Sequence, residues 1–122
     1  MQYIIITNNP LVKEKYIDKN VEYYDVKYED ILQIVKNKIA IGHKILTHPL
    51  SGSVKPKETP YKSVMISKEK KELDLESLSI IEDAIETTRK FVARPDKWTE
   101  KVLDDFRLVD FTLIDSAMSS IN

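Results

Sequence analysis

The chain contains no cysteine, and only two of its 122 residues are glycine. Without a thiol, this chain cannot form a disulfide, hold a metal ion through thiolates or act as a cysteine nucleophile. The two glycines, Gly42 and Gly52, are too few for a dinucleotide-binding loop and too far apart for a loop that binds nucleotide phosphates. The sequence also has no nucleophile elbow. These absences exclude several common classes of enzyme.

Neither sign of charge dominates the chain. Nineteen basic residues stand against twenty acidic ones, which gives a formal net charge of −1. A balanced chain supplies no general field for holding nucleic acid or an anionic membrane, so we expect neither partner, and any anion site must be local. Only two histidines occur, and no carboxylates cluster convincingly in the sequence, so we expect no metal site and no cofactor.

Long apolar runs are also missing. The stretch Met1–Ile6 is too short for a signal peptide and lacks a preceding positive charge, and no later segment approaches the length of a membrane span. We therefore expect a cytoplasmic protein. A hydrophobic fraction of 42% in 122 residues is enough for one core, which predicts a single α/β domain over residues 1–122.

The chain opens with a strand, a turn and a helix. Tyr3–Ile6 is a short apolar run typical of a buried strand. Asn9 is placed to cap a short helix that begins at Pro10, where the missing N–H group costs nothing. Residues 21–26 predict the second strand.

A second helix and two further strands complete the predicted sheet. Apolar residues recur at helical spacing from Ile31 to Ile39, and Gly42 is suited to end that helix. Residues 44–47 predict a third strand, and residues 63–67 a fourth, which is free to run antiparallel because no helix precedes it. Short β-α-β-α-β connections favour a parallel sheet. We expect a three-layer Rossmann-like or flavodoxin-like sandwich of about four mostly parallel strands flanked by helices.

Two helices follow these strands. Asp74 is placed to cap a helix that continues to Val92 before Arg94-Pro95 ends it, and the last helix begins near Asp96 or Thr99. Apolar residues on two faces of the last helix suit either core packing or a homodimer surface. Its main stripe consists of apolar residues at helical spacing: Val102, Phe106, Val109, Leu113 and Ala117.

Two of the predicted strands end in similar polar turns. Thr7-Asn8-Asn9-Pro10-Leu11 follows the first strand, and Thr47-His48-Pro49-Leu50 follows the third. In a flavodoxin-like order of 2-1-3 these strands are neighbours at the topological switch point, where ligands of such sheets bind. We therefore expect a crevice between Asn8 and His48, with N–H groups of the helix after Asn9 offered to an anion.

The loop after the third strand supplies the rest of the predicted site. Residues 48–60 have neither helical nor strand period, and a connection this long is often functional. Its Ser-Gly-Ser followed by Lys55 can present amides, hydroxyls and an ammonium to phosphate or carboxylate. His48 is the candidate general acid or base, or alternatively it holds the loop to itself. The predicted ligand-binding residues lie in these two loops: Thr7, Asn8, Asn9, Thr47, His48, Ser51, Gly52, Ser53, Lys55 and Tyr61.

Five stretches of the chain resemble the GrdX family of small proteins, and the pattern they form spans most of the chain. They are Ile5–Val12, Gly42–Pro56, Glu58–Ser63, Ser67–Lys68 and Leu73–Leu78. The resemblance implies an association with the components of glycine, sarcosine or betaine reductase, the selenoenzyme systems of amino-acid-fermenting anaerobes. It assigns no catalytic residue, so it indicates the metabolic pathway in which the chain takes part and leaves its biochemical activity open.

Three functions fit these observations. The first is an accessory protein that binds a small anion, such as a phosphate ester or carboxylate, in the crevice between the loops after strands 1 and 3. The second is an assembly or regulatory factor that contacts reductase components through the long loop or the last helix. The third is a small enzyme that uses His48.

Overall fold

The computed structural model describes residues 2–17, 20–52 and 54–121, and over these residues the chain forms three strands and four α-helices. None of the described helices combines the length and the apolar composition needed to cross a membrane. The elements in chain order are β1 (Tyr3–Thr7), α1 (Pro10–Lys15), β2 (Val21–Tyr23), α2 (Tyr28–Ala40), β3 (Ser63–Ser67), α3 (Leu75–Thr88), a 3-10 turn (Pro95–Lys97) and α4 (Glu100–Ile121).

The strands form a mixed sheet in the order β2-β1-β3. Strand β1 pairs in parallel with β2 and antiparallel with β3. The antiparallel strand at residues 63–67 is therefore confirmed, whereas the prediction of four mostly parallel strands is wrong. The 2-1-3 arrangement of the predicted strands is also wrong, because β3 occupies the place beside β1 that was expected for residues 44–47.

The segment predicted as the third strand makes only an isolated antiparallel bridge, between Ile45 and Ile66 of β3. It lies on the outer side of β3 and adds no named strand to the sheet. The reason is burial: Val64, Met65 and Ile66 are fully buried, whereas Ile45 and its neighbours are partly or fully exposed. The more apolar segment takes the inner position because that position removes more apolar surface from water.

Successive side chains of the sheet enter two separate cores. Ile6, Val64 and Ile66 pack with α2 and α3 on one face. Ile5 and Met65 pack with α1 and α4 on the other. This alternation follows from the two-residue period of a strand, and it gives helices on both faces of the sheet.

The helix boundaries follow their local signals with one exception, and the buried face of α4 also differs from the prediction. Asn9 caps α1 and Asp74 caps α3, as predicted. Helix α3 ends at Thr88, so the predicted continuation to Val92 is wrong, and the Val92 side chain is 80% exposed. The predicted α4 stripe is also not the buried face: Val109 and Leu113 are 40% and 38% exposed, while the fully buried positions are Asp110, Ile114 and Met118.

Candidate functional site

A buried polar cluster joins the carboxyl end of β1 to β3 and α4. The carboxylate of Asp110 accepts hydrogen bonds from the Ser63 N–H at 3.0 Å, the Ser63 hydroxyl at 2.7 Å and the Asn9 Nδ2 at 3.0 Å. The Thr7 hydroxyl lies 2.6 Å from the Ser63 hydroxyl. All four residues are buried. Because each hydrogen bond lies within the protein, the cluster ties three elements together.

The predicted site residues after β1 are used by the fold. The Asn8 side chain donates to the carbonyls of Val26 at 2.9 Å and Pro60 at 2.8 Å, and it accepts from the Lys62 N–H at 2.8 Å. The Asn9 side chain accepts from the Leu11 N–H at 3.0 Å, and the Asn9 carbonyl accepts the next two N–H groups of α1. These N–H groups therefore already have acceptors within the chain.

Four predicted residues of the second loop do not meet Asn8 in one of the described cavities: Thr47, His48, Ser51 and Gly52. The Thr47 hydroxyl accepts from the Met65 N–H at 3.0 Å. His48 is exposed, its Nδ1 accepts from the Leu50 N–H at 3.1 Å, and it lines none of the cavities described below. This is the local role that the sequence left open as the alternative. Ser53 lies outside the described residues.

A cleft of about 890 Å³ lies at the carboxyl end of β1. We call it the main cleft. One wall is the end of the long loop, including Lys57 and Tyr61, and the other is the connection between α3 and α4, including Phe91 and Trp98. Asn8 lies at the point where β1 enters it. The main cleft therefore occupies the edge of the sheet where α/β proteins bind ligands.

A second cleft of about 290 Å³ adjoins the main cleft, and we call it the side cleft. The two clefts share Lys57, Phe91, Val92 and Trp98. The charged residues that line the side cleft are four cations and one carboxylate: Lys55, Lys57, Arg94, Lys97 and Glu58.

Two of these cations have acidic partners. Lys57 lies 3.3 Å from Glu29, and Arg94 lies 3.6 Å from Asp96. Lys55 and Lys97 form no ion pair with the residues that the structure describes. The side cleft therefore has a positive excess, in a chain whose total charge is close to zero.

Two aromatic side chains in the main cleft are held by hydrogen bonds. The Trp98 indole N–H donates to the Glu58 carbonyl at 2.9 Å, which ties the α3–α4 connection to the long loop. Arg107 donates to the Tyr61 hydroxyl at 2.6 Å, with its guanidinium carbon 5.6 Å from the centre of the ring. Arg107 also pairs with Asp104, and that hydrogen bond raises its pKa. The cleft walls are thus preorganised on both sides.

Lys62 lies buried behind the wall of the main cleft. Its ammonium is 5.6 Å from the centre of the Tyr28 ring, and it borders two cavities of about 20 Å³, each the size of a single water molecule. Burial lowers the pKa of Lys62, and the nearby charge of Asp110 opposes that shift only in part. The ammonium takes part in no described hydrogen bond or ion pair, but it is not sealed from solvent, since the fully buried side-chain polar atom without a partner among the described residues is the Thr88 hydroxyl oxygen.

Sequence reasoning missed Asp110 and Lys62. For Asp110 a signal existed, since it lies at helical spacing between Phe106 and Ile114, and a carboxylate inside an apolar stripe requires a polar partner. Lys62 precedes a strand in a lysine-rich loop, and nothing in that pattern marks it as buried. Among the described residues, no three histidine or acidic side chains come together as a metal site.

Comparison with known proteins matches the chain to a family. A family model described as GrdX-like protein matches residues 4–119, which is nearly the whole chain. No curated protein and no solved structure matches.

Proposed function

The chain belongs to the GrdX-like protein family, and on that premise we propose that it is an accessory protein of the glycine, sarcosine and betaine reductase system that binds a small anionic ligand. The reductase association rests on the family resemblance. The anion binding rests on the clefts.

One observation carries the anion proposal: the side cleft is lined by four cations and one carboxylate, and two of the cations, Lys55 and Lys97, form no described ion pair. In a chain with a net charge of −1, such a local excess draws anions to this place and not to the surface in general. Lys55 and Lys97 keep their ammonium groups without a described acidic partner, so both are available to a phosphate or carboxylate.

The proposed anion site, the side cleft, lies between a later part of the long loop and the α3–α4 connection, and it differs from the expected crevice because the loop after strand 1 lines only the main cleft. Asn8 comes from the first loop, while Lys55, Lys57 and Tyr61 come from the second. His48 remains a candidate general acid or base from the sequence, and its exposed position outside the clefts favours binding over catalysis as the function of this site.

Thermal unfolding of the purified protein tests the proposal. The panel is phosphate, acetyl phosphate, nucleotides, glycine and betaine at low salt. A ligand present at about one hundred times its dissociation constant adds about 2.7 kcal/mol to the free energy of unfolding. We expect an anion to raise the midpoint, and added salt to reduce the effect because it screens exposed charges.

Two variants make the result specific to the side cleft. The double variant Lys55→Ala, Lys97→Ala should lose most of the shift. The control Lys101→Ala removes an exposed lysine of α4 that does not line the side cleft, and it should keep the shift. If no compound raises the midpoint, or if the double variant responds like the control, the anion site is not where we place it.

A second candidate function is protein contact through α4, and a specific observation favours it. Leu108, Val109 and Leu113 leave 56%, 40% and 38% of their surface exposed on one helix. Exposed apolar groups of this kind mark contacts with a partner, here a second copy of the chain or a reductase component. Sedimentation at high micromolar concentration and anaerobic co-purification test the two partners, and a monomer that retains no reductase component would contradict this function.

A further inference from the structure

We propose that the ligand carries a flat nitrogen-containing ring in addition to its anionic group, as a nucleotide does. The inference rests on the proposed anion site and adds the chemical class of the ligand. It begins from size. At about 890 Å³ the main cleft is in the range that holds a ligand of nucleotide size, and it is far larger than a phosphate or acetate ion requires.

The walls of the main cleft are aromatic. Tyr61, Phe91 and Trp98 all line it, from two different segments of the chain. Aromatic side chains bind flat rings by stacking, and this contact accepts rings of different identity. Hydrogen bonds already hold the side chains of Tyr61 and Trp98 in place. A ring that stacks on them therefore costs little further side-chain entropy.

The geometry connects ring and anion in one ligand. Phe91 and Trp98 line both clefts, so a ring stacked on them extends its substituents into the side cleft, where Lys55 and Lys97 lie. The carboxylate of Asp25 also lines the main cleft and can accept a hydrogen bond from a ring N–H or a sugar hydroxyl. Asp25 is exposed and so is solvated without a ligand, but a ring N–H that donates to it adds a contact that a hydrocarbon ring cannot make.

Trp98 is the sole tryptophan of the chain and lines both clefts, so fluorescence excited selectively in tryptophan rather than in the six tyrosines reports on this site. The probes are AMP, adenosine and inorganic phosphate, titrated at the same ionic strength. We expect AMP to quench Trp98 and to bind roughly tenfold or more tightly than phosphate, because stacking adds to the charge contact. Adenosine should bind more weakly than AMP because it lacks the anion.

Equilibrium dialysis of labelled AMP against two variants assigns the contribution of the ring. Trp98→Leu should lose the advantage of AMP over phosphate, while Trp98→Phe, which keeps an aromatic face, should retain most of it. Circular dichroism verifies that both variants are folded.

The outcomes separate this inference from the proposed function. If AMP and phosphate bind with equal affinity and Trp98→Leu changes neither, the ring inference is overturned and the anion site stands. If phosphate and AMP both fail to bind, the anion site falls and the ring inference falls with it. If adenosine binds as tightly as AMP, the phosphate contributes nothing to binding, so the anion site fails and with it the inference that one ligand carries both groups.

Discussion

Asp110 and Lys62 lie close together behind the main cleft, but the chain stabilises their charges very differently. Asp110 accepts three hydrogen bonds from Ser63 and Asn9. The Lys62 ammonium instead lies over the face of the Tyr28 ring, and Lys62 borders two water-sized cavities. A buried charge without hydrogen bonds opposes folding, and one with several supports it. The two residues should therefore respond to substitution in opposite directions.

Replacing Asp110 with Asn should destabilise the protein. The amide turns one acceptor oxygen into a donor that faces the donors of Ser63 or Asn9, so at least one charge-assisted hydrogen bond is lost and a buried group is left unpaired. We expect a loss of about 2 kcal/mol or more in the free energy of unfolding, measured with urea. Asp105→Asn is the control, because Asp105 is exposed and its pair with Lys101, at 3.7 Å, contributes less than about 0.5 kcal/mol. Equal losses in the two variants would contradict the role of Asp110.

Replacing Lys62 with Met should change how stability depends on pH. Burial lowers the pKa of Lys62, so between that lowered value and about 10.4 the unfolded chain holds a proton that the folded chain has released. The wild-type free energy of unfolding therefore rises with pH through this window. The variant lacks this rise and should be at least as stable as wild type at pH 7, because Met keeps the apolar stem.

Urea unfolding from pH 7 to pH 10 measures the difference between the Lys62→Met variant and wild type. The range stops at pH 10 because burial also raises the pKa of Tyr28 in the folded chain. Above its ordinary pKa of about 10, the unfolded chain loses the Tyr28 proton that the folded chain keeps, and the free energy of unfolding falls. A difference that stays constant over the whole range would show that the Lys62 ammonium is not destabilised by burial.

At the scale of the elements, local signals were reliable. Asn9, Asp74 and Gly42 each mark a helix end by chemistry that depends only on neighbouring residues, and each prediction is confirmed. The competition between residues 44–47 and β3 for the inner place in the sheet depends on contacts distant in sequence. Residues 63–67 are the more apolar segment, but both segments have strand-like composition, so the local pattern alone does not fix which of them pairs with β1.

Gly42 and Gly52 allow a matched test of backbone constraints. Both have positive φ, at 110° and 109°, but an added Cβ at Gly42 meets the backbone oxygen of Lys71 at 2.2 Å, while at Gly52 it meets only the side-chain tip of Leu113 at 2.7 Å. Each alanine variant carries the cost of a left-handed conformation, about 1–2 kcal/mol. We expect Gly42→Ala to be clearly the more destabilising, because a backbone atom cannot move aside as a leucine tip can.

Thermal or urea unfolding of the two alanine variants compares these costs directly. A Gly52→Ala variant that loses as much stability as Gly42→Ala would show that the close contact with Lys71 does not govern the end of α2.

At the scale of the whole molecule, the family, the layered α/β architecture and the edge of the sheet that carries the cleft were accessible from the sequence. Asn8, Lys55 and Tyr61 do line the two clefts. The other wall was not accessible, because the α3–α4 connection reaches the long loop only through the folded arrangement, for example through Trp98 and Glu58. Sequence patterns predict loops, but they do not predict which distant loops meet.

The most direct test of the proposed anion site is an NMR titration of the ¹⁵N-labelled protein with inorganic phosphate at low salt. We expect saturable chemical-shift changes that are largest around Lys55 and in the α3–α4 connection, including the indole N–H of Trp98. Residues near His48 should change little. The absence of saturable shifts, or shifts centred on residues 47–52, would contradict an anion site in these clefts.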